Sequence, residues 1–185
     1  MPARFIGVDG EMTGTDGPGV HQLIQIGVAT APDEVFVSDI GYKEWSENPE
    51  SMAVHGLSAE RIRAAPRADV VDAELCGWLG DKVVGSGRGL IAVGWNVAAF
   101  DLPYVRRYLP RFTSHLSGRS VDLNAVCFTF AGTAGSRWKS LKKRSKRFAE
   151  EQLGRVQWHD AGYDAAAALL CWEFFKRLSR REEGS

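Results

Sequence analysis

The chain reads as a single α/β domain, a mixed β-sheet that opens with an antiparallel meander and carries helices packed against it. Three observations predict this. Short apolar runs separated by turn clusters fill residues 5–40, amphipathic helical patterns follow from about residue 58, and one further apolar run interrupts the helices near residue 90. At 185 residues, 44% hydrophobic and 25% charged, the chain is long enough to bury one core. Residues 1–180 are assigned to that domain and 181–185 to a short polar tail.

The first strand is the run Phe5-Ile-Gly-Val-Asp-Gly-Glu-Met-Thr-Gly14. The turn residues Gly14-Thr-Asp-Gly-Pro-Gly19 separate it from a second strand, Leu23–Ala29, and Ala31-Pro-Asp33 leads into a third, Glu34–Ile40. Residues 41–57 show no clear period. Ser58 then reads as an N-cap with Glu60 in the first turn, and Pro66 ends that short helix. Asp69 is expected to cap the next helix, whose stripe is Val71, Leu75, Trp78 and Leu79; glycines 85, 87 and 89 break it.

Leu90–Gly94 is a short buried strand, followed by a helix over Leu102–Leu109 with Pro103 near its start. Ser120–Leu123 is a fifth strand. From Arg137 to Arg147 the chain has seven bases and no acids, with Trp138, Leu141 and Phe148 on a core-facing side. Lys139, Lys143, Lys146 and Arg147 then face away, either toward phosphates or simply toward water. Gly154 ends this helix, and the last runs from near Asp160 to about Arg180.

Composition excludes several classes of protein. No run is long enough to span a membrane and no secretory signal is present, so a cytoplasmic location is expected. Cys76, Cys127 and Cys171 lack metal-ligand spacing and are odd in number. They read as buried thiols rather than a disulfide framework or zinc site. Net charge is zero but divided: residues 1–85 hold 14 acids and 6 bases, residues 86–185 hold 9 and 17. Such a dipolar chain suits an acidic pocket beside a basic surface.

Acids stand at three places where the pattern predicts burial or the end of an element. In a strand Asp9 and Glu11 share one face, and two like charges so placed call for a cation; a divalent metal with oxygen ligands is the obvious one. Chance alone supplies Asp-x-Glu roughly 0.7 times in such a chain, and Asp72-Ala-Glu74 on a helix is a decoy of the same spacing. Asp101 falls at a helix N-terminus, where an N-cap role is the alternative to chemistry. Asp164 precedes four alanines on a helix that looks buried, where a carboxylate needs a cation or donors. His159 stands five residues before it.

These residues resemble the motifs of the DEDD exonuclease superfamily in its His-containing, DnaQ-like branch (DEDDh). Val8-Asp-Gly-Glu-Met-Thr-Gly14 is similar to Asp-x-Glu-x-Thr-Gly, Gly94-Trp-Asn-Val-Ala-Ala-Phe-Asp101 to Gly-His-Asn-x3-Phe-Asp, and His159-Asp-Ala-Gly-Tyr-Asp-Ala165 to His-x-Ala-x2-Asp-Ala. Trp95 replaces the usual histidine. The second motif is unlike that of oligoribonuclease, and the chain lies nearer the proofreading subunit of DNA polymerase III and ribonuclease T.

The resemblance implies a ribonuclease-H-like fold and a 3′-to-5′ exonuclease that releases nucleoside monophosphates from single-stranded DNA or RNA ends with two divalent cations, Mg2+ or Mn2+. It makes Asp9, Glu11, Asp101 and Asp164 metal ligands and His159 the general base. It also sets Met12, Thr13, His55, Asn96 and Phe100 against the terminal nucleotide. A homodimer or a polymerase partner is open, with only Arg181–Ser185 beyond the last helix. The rival reading is a catalytically silent nucleic-acid- or partner-binding domain of the same fold. The complete acid set with His159 favours the enzyme.

Overall fold

The computed structural model describes residues 5–80, 89–132 and 135–182. Five strands, β1 (Phe5–Met12), β2 (Leu23–Ala31), β3 (Glu34–Asp39), β4 (Leu90–Gly94) and β5 (Leu116–Asp122), form one sheet in the order β3-β2-β1-β4-β5. The β1–β2 and β2–β3 pairs are antiparallel, whereas β1–β4 and β4–β5 are parallel. The sheet is therefore mixed with its meander first, as expected. The helices are α1 (Pro49–His55), α2 (Ala59–Ala64), α3 (Ala68–Leu79), α4 (Asp101–Tyr108), α5 (Pro110–His115), α6 (Leu123–Ala131), α7 (Gly135–Leu153) and α8 (Ala161–Glu182).

Alternation along β1 divides the molecule into layers. Ile6, Val8 and Met12 enter a core shared with Val71 and Leu75 of α3 and with Leu102 and Val105 of α4. Phe5 joins the opposite core, where Cys127 of α6, Leu141 of α7 and Phe175 of α8 pack. On that second face α8 lies directly on the sheet. A Cβ at Gly7 would run into the Ala165 carbonyl, and one at Gly27 into the Ala161 carbonyl. Two strand glycines thus let the first two turns of α8 touch the backbone of β1 and β2.

Several local expectations change. Residues 41–57 contain α1, capped by Asn48, whose side chain accepts from the Glu50 and Ser51 amides, with Pro49 in the first turn and Gly56 left-handed at the end. Those stop and start residues were readable; the helix lacked only an apolar stripe, and none of its residues is buried. Asp69 does not cap α3: Arg67 is the N-cap residue and makes no side-chain cap bond. The fifth strand is longer than Ser120–Leu123, and Asp122 at its end caps α6 by accepting from the Asn124 and Ala125 amides. Cys127 and Cys171 are buried, but Cys76 is half-buried.

Gly89 is left-handed just before β4, while glycines 85 and 87 and the tail end at 183–185 lie outside the described residues. Among the described residues no helix is long and apolar enough to cross a membrane.

Candidate active site

The parallel pairing of β1 with β4 runs only to Gly7 opposite Val93. Beyond it that edge of β1 is open, and the Gly10 amide donates instead to Asp101 Oδ1 at 3.0 Å. This bond decides the role of Asp101. It is the first residue of α4 but not its cap, since Phe100 occupies that position without a side-chain cap bond. Asp101 is buried and held across the end of β1.

Asp9 and Glu11 stand opposite Gly27 and Gln25 of β2. Gln25 is buried and bridges two elements: its Oε1 accepts from the Ala161 amide at 2.9 Å, and its Nε2 donates to Asp39 at 2.8 Å. Asp160 caps the same helix through the Tyr163 amide at 2.9 Å. With the Gly7 and Gly27 approaches, these bonds set the start of α8, and so Asp164, against the strand. Gln25 was missed by sequence reasoning because its partner lies 136 residues away and no local pattern marks such a pair.

His159 adopts a left-handed backbone, φ 70°, and its amide donates to Asp164 Oδ2 at 2.9 Å. The turn places its ring beside the acids: ligand atoms of Glu11, His159 and Asp164 lie within 4.8 Å of one another. The ring itself is on the exposed side of the site.

The four carboxylates act on each other. Burial, then the charges of Asp101, Asp164 and Glu11, raise the Asp9 carboxyl well above the usual carboxylate range, opposed by Lys146. Burial first, with Asp164, Asp101 and Asp160 adding to it, pushes Glu11 up to about 8. Asp101 is pushed up to about 7, burial outweighing the bond from Gly10. Asp164 is raised by burial despite the His159 amide and Lys146. An acid set that resists ionisation by itself is relieved by a cation placed among its members.

The donor set fits such a cation. Asp164 Oδ1 is buried without any hydrogen-bond partner, and the donors are hard carboxylate oxygens of the kind Mg2+ and Mn2+ prefer.

Beside the acids is a cleft of about 240 Å³ lined by Gly10, Glu11, Met12, His55, Phe100 and His159, among others. His55 Nδ1 accepts from the Leu57 amide at 3.1 Å, which leaves the proton on Nε2; that atom is buried and unpartnered. Burial lowers the ring's pKa against the opposing influence of the Met12 backbone, and His159 lowers it further.

Thr13 and Asn96 are not among the residues that line this cleft. Thr13 is buried, its hydroxyl bonded to Gln22, its amide donating to the Gln22 carbonyl and its carbonyl accepting from Asn48. Asn96 does not line the cleft. It takes a left-handed turn, φ 61°, and its carbonyl accepts from the Ala99 and Phe100 amides, a conformation asparagine tolerates well. The decoy carboxylate Asp72 is structural: it accepts from the Arg111 and Phe112 amides at 2.9 and 2.8 Å and caps α5 from α3.

With this geometry in place, the architecture can be set beside known structures. Escherichia coli exonuclease I in a zinc-bound complex with single-stranded DNA superposes with a TM-score of 0.68 at 16% identity, over 96% of this chain. The nuclease domain of 3′hExo, described as a DEDDh family member and bound to rAMP, gives 0.60 at 16% identity over 95% of this chain and 92% of its own.

The fold is ribonuclease-H-like. Schizosaccharomyces pombe Pop2p in a form with Mg2+ and Mn2+ bound shares it as well, with a TM-score of 0.60 at 14% identity over 99% of this chain and 86% of that one. The chain spans 41% of the exonuclease I chain. No family model and no curated protein sequence matches it.

Proposed function

We propose that the protein is a metal-dependent 3′-to-5′ exonuclease that releases nucleoside monophosphates from single-stranded DNA or RNA. The observation that carries this reading is the meeting of four carboxylates from three elements, with one buried Asp164 oxygen left unpartnered and a histidine at their open side. The fold shared with structures described as exonucleases supports it.

Asp9, Glu11, Asp101 and Asp164 would hold two divalent cations, Mg2+ or Mn2+. Bound there, the cations would stabilise negative charge on the entering and leaving oxygens and make water more acidic. His159, within reach of Glu11 and Asp164, takes the proton of the attacking water. The Asp164 side chain accepts its amide and so fixes the turn that presents the ring. The Met12, His55 and Phe100 side of the cleft receives the terminal nucleotide. The second motif, Gly94-Trp-Asn-Val-Ala-Ala-Phe-Asp101, is unlike that of oligoribonuclease and supports the proofreading and ribonuclease T type instead.

The test uses 5′-labelled DNA and RNA oligomers with Mg2+, Mn2+ or chelator. A ladder shortening from the 3′ end with metal, absent with chelator and absent for Asp9→Ala, is the expected result. An activity that persists in Asp9→Ala would overturn the assignment, and no cleavage by the native protein with either metal would favour the silent binding domain.

A further inference from the structure

Outside the acid cluster the most unusual surface is the exposed side of α7. Its seven bases between residues 137 and 147 are accompanied by no acid. Arg147 is engaged by Glu151 at 2.9 Å, whereas Lys139 and Lys143 are exposed and make no ion pair among the described residues. A groove of about 410 Å³ runs along this side, lined by Trp138, Lys139, Lys142, Lys143 and Lys146, among others.

Aromatic rings interleave with those cations. Lys142 Nζ sits 4.5 Å from the centre of the Trp95 ring and 5.8 Å from that of Trp138, and donates to Asn124 at 3.2 Å. Trp138 lies against Phe128, centroids 4.9 Å apart and planes 30° from parallel, and Phe128 is 51% exposed. Trp95, which stands where the resemblance expects histidine, thus has a use: it seats a lysine of this groove.

Lys146 links the groove to the segment that carries His159. It lines the groove, lies 3.7 Å over the ring of Trp158, the residue before His159, and bears on the charges of Asp9 and Asp164. Lys146 is therefore the point where the basic face and the acid site join.

We propose that this face of α7 is a track for the single-stranded nucleic acid upstream of the 3′ end, with Lys139 and Lys143 on phosphates and the exposed Phe128 ring, backed by half-buried Trp138, as a platform for a base. Positive charge along a groove with interleaved aromatic rings is the combination that holds single strands without reading their sequence. From Lys146 to Trp138 the helix advances about 12 Å, room for roughly three stacked nucleotides. The proposal rests on the nuclease reading of the acid cluster and adds the path of the strand to it.

The test compares the native full chain with a Lys139→Ala/Lys143→Ala variant and a control, Arg111→Ala/Arg180→Ala. The control removes two exposed charges from α5, on the opposite layer, and from the far end of α8. Affinity for a 5′-fluorescein 12-mer is measured in chelator across a salt series, and kcat/KM with Mg2+ is measured for the 12-mer and for a dinucleotide. The lysine variant should bind the 12-mer about tenfold more weakly at low salt, with a salt slope lower by about 1.4, from ~0.7 per lost contact on a single strand. The 12-mer to dinucleotide ratio of kcat/KM should fall by a similar factor.

A slope equal to native overturns the track, and so does an equal fall in the control, which would mean bulk charge alone. Failure of the native protein to cleave any substrate would instead refute the nuclease reading, and the binding slope would still decide the track.

Discussion

Replacing Glu11 with Gln should make the metal-free protein more stable at alkaline pH. The Glu11 carboxyl rises from its ordinary 4.5 to about 8 in the folded chain, so between those values the folded state binds a proton that the unfolded state has lost. Its contribution is fully present below about 4.5 and disappears as pH rises through about 8. At ~1.4 kcal/mol per pKa unit the whole gap corresponds to about 5 kcal/mol. The buried amide retains a desolvation cost of its own, which leaves a gain of about 2–4 kcal/mol at pH 8.5.

For a domain of this size that gain is about 5–12 °C in Tm. The assay is thermal unfolding in chelator at pH 4.5 and at pH 8.5. The expected gap between variant and native protein is large at the higher pH and nearly closed at the lower. Added Mg2+ should raise the Tm of the native protein at pH 8.5 more than that of Glu11→Gln. A variant that is less stable at pH 8.5, or a gap equal at both pH values, would refute the reasoning, because neither outcome is compatible with a carboxylate strained by burial among like charges.

His159→Ala should lower kcat by roughly 10²-fold or more while leaving Tm near native, since the ring is exposed and its loss removes a proton acceptor rather than packing; full activity across neutral pH would remove it from the mechanism. Gly27→Ala should cost about 1–3 kcal/mol or more, because the new methyl meets the Ala161 backbone rather than a mobile side chain; a denaturant midpoint equal to native would show that α8 does not depend on that approach. Asp72→Ala should destabilise by about 1–3 kcal/mol through the two α5 amides it leaves unpaired. Its activity per folded molecule should stay at the native level, and a selective loss of kcat would contradict the structural role.

Much of the candidate site was legible before the structure because its residues are tied to local signals. Asp9 and Glu11 follow a β-period, and Asp101 and His159 stand at the predicted starts of helices. The helices that went unseen, α1, α5 and α6, are short, at 7, 6 and 9 residues, too brief for a 3.6-residue period to declare itself. Hydrogen-bond partners inside the motifs were not legible in the same way. Thr13 and Asn96 sit inside the motifs, but their hydrogen bonds go to the protein's own turns.

The sequence by itself determined the class of fold and the order of the meander and singled out the candidate acids, since periodicity and side-chain chemistry are properties of short stretches. Only the tertiary structure decided which acids meet. Asp-x-Glu occurs twice at the same spacing, and one copy is brought to Asp101 and Asp164 while Asp72 is spent on capping α5. That choice is made by long-range contacts: the open edge of β1 beyond Gly7, the glycines that admit α8, and Gln25 holding its first amide. Each joins residues far apart in the chain, where no local pattern records the pairing.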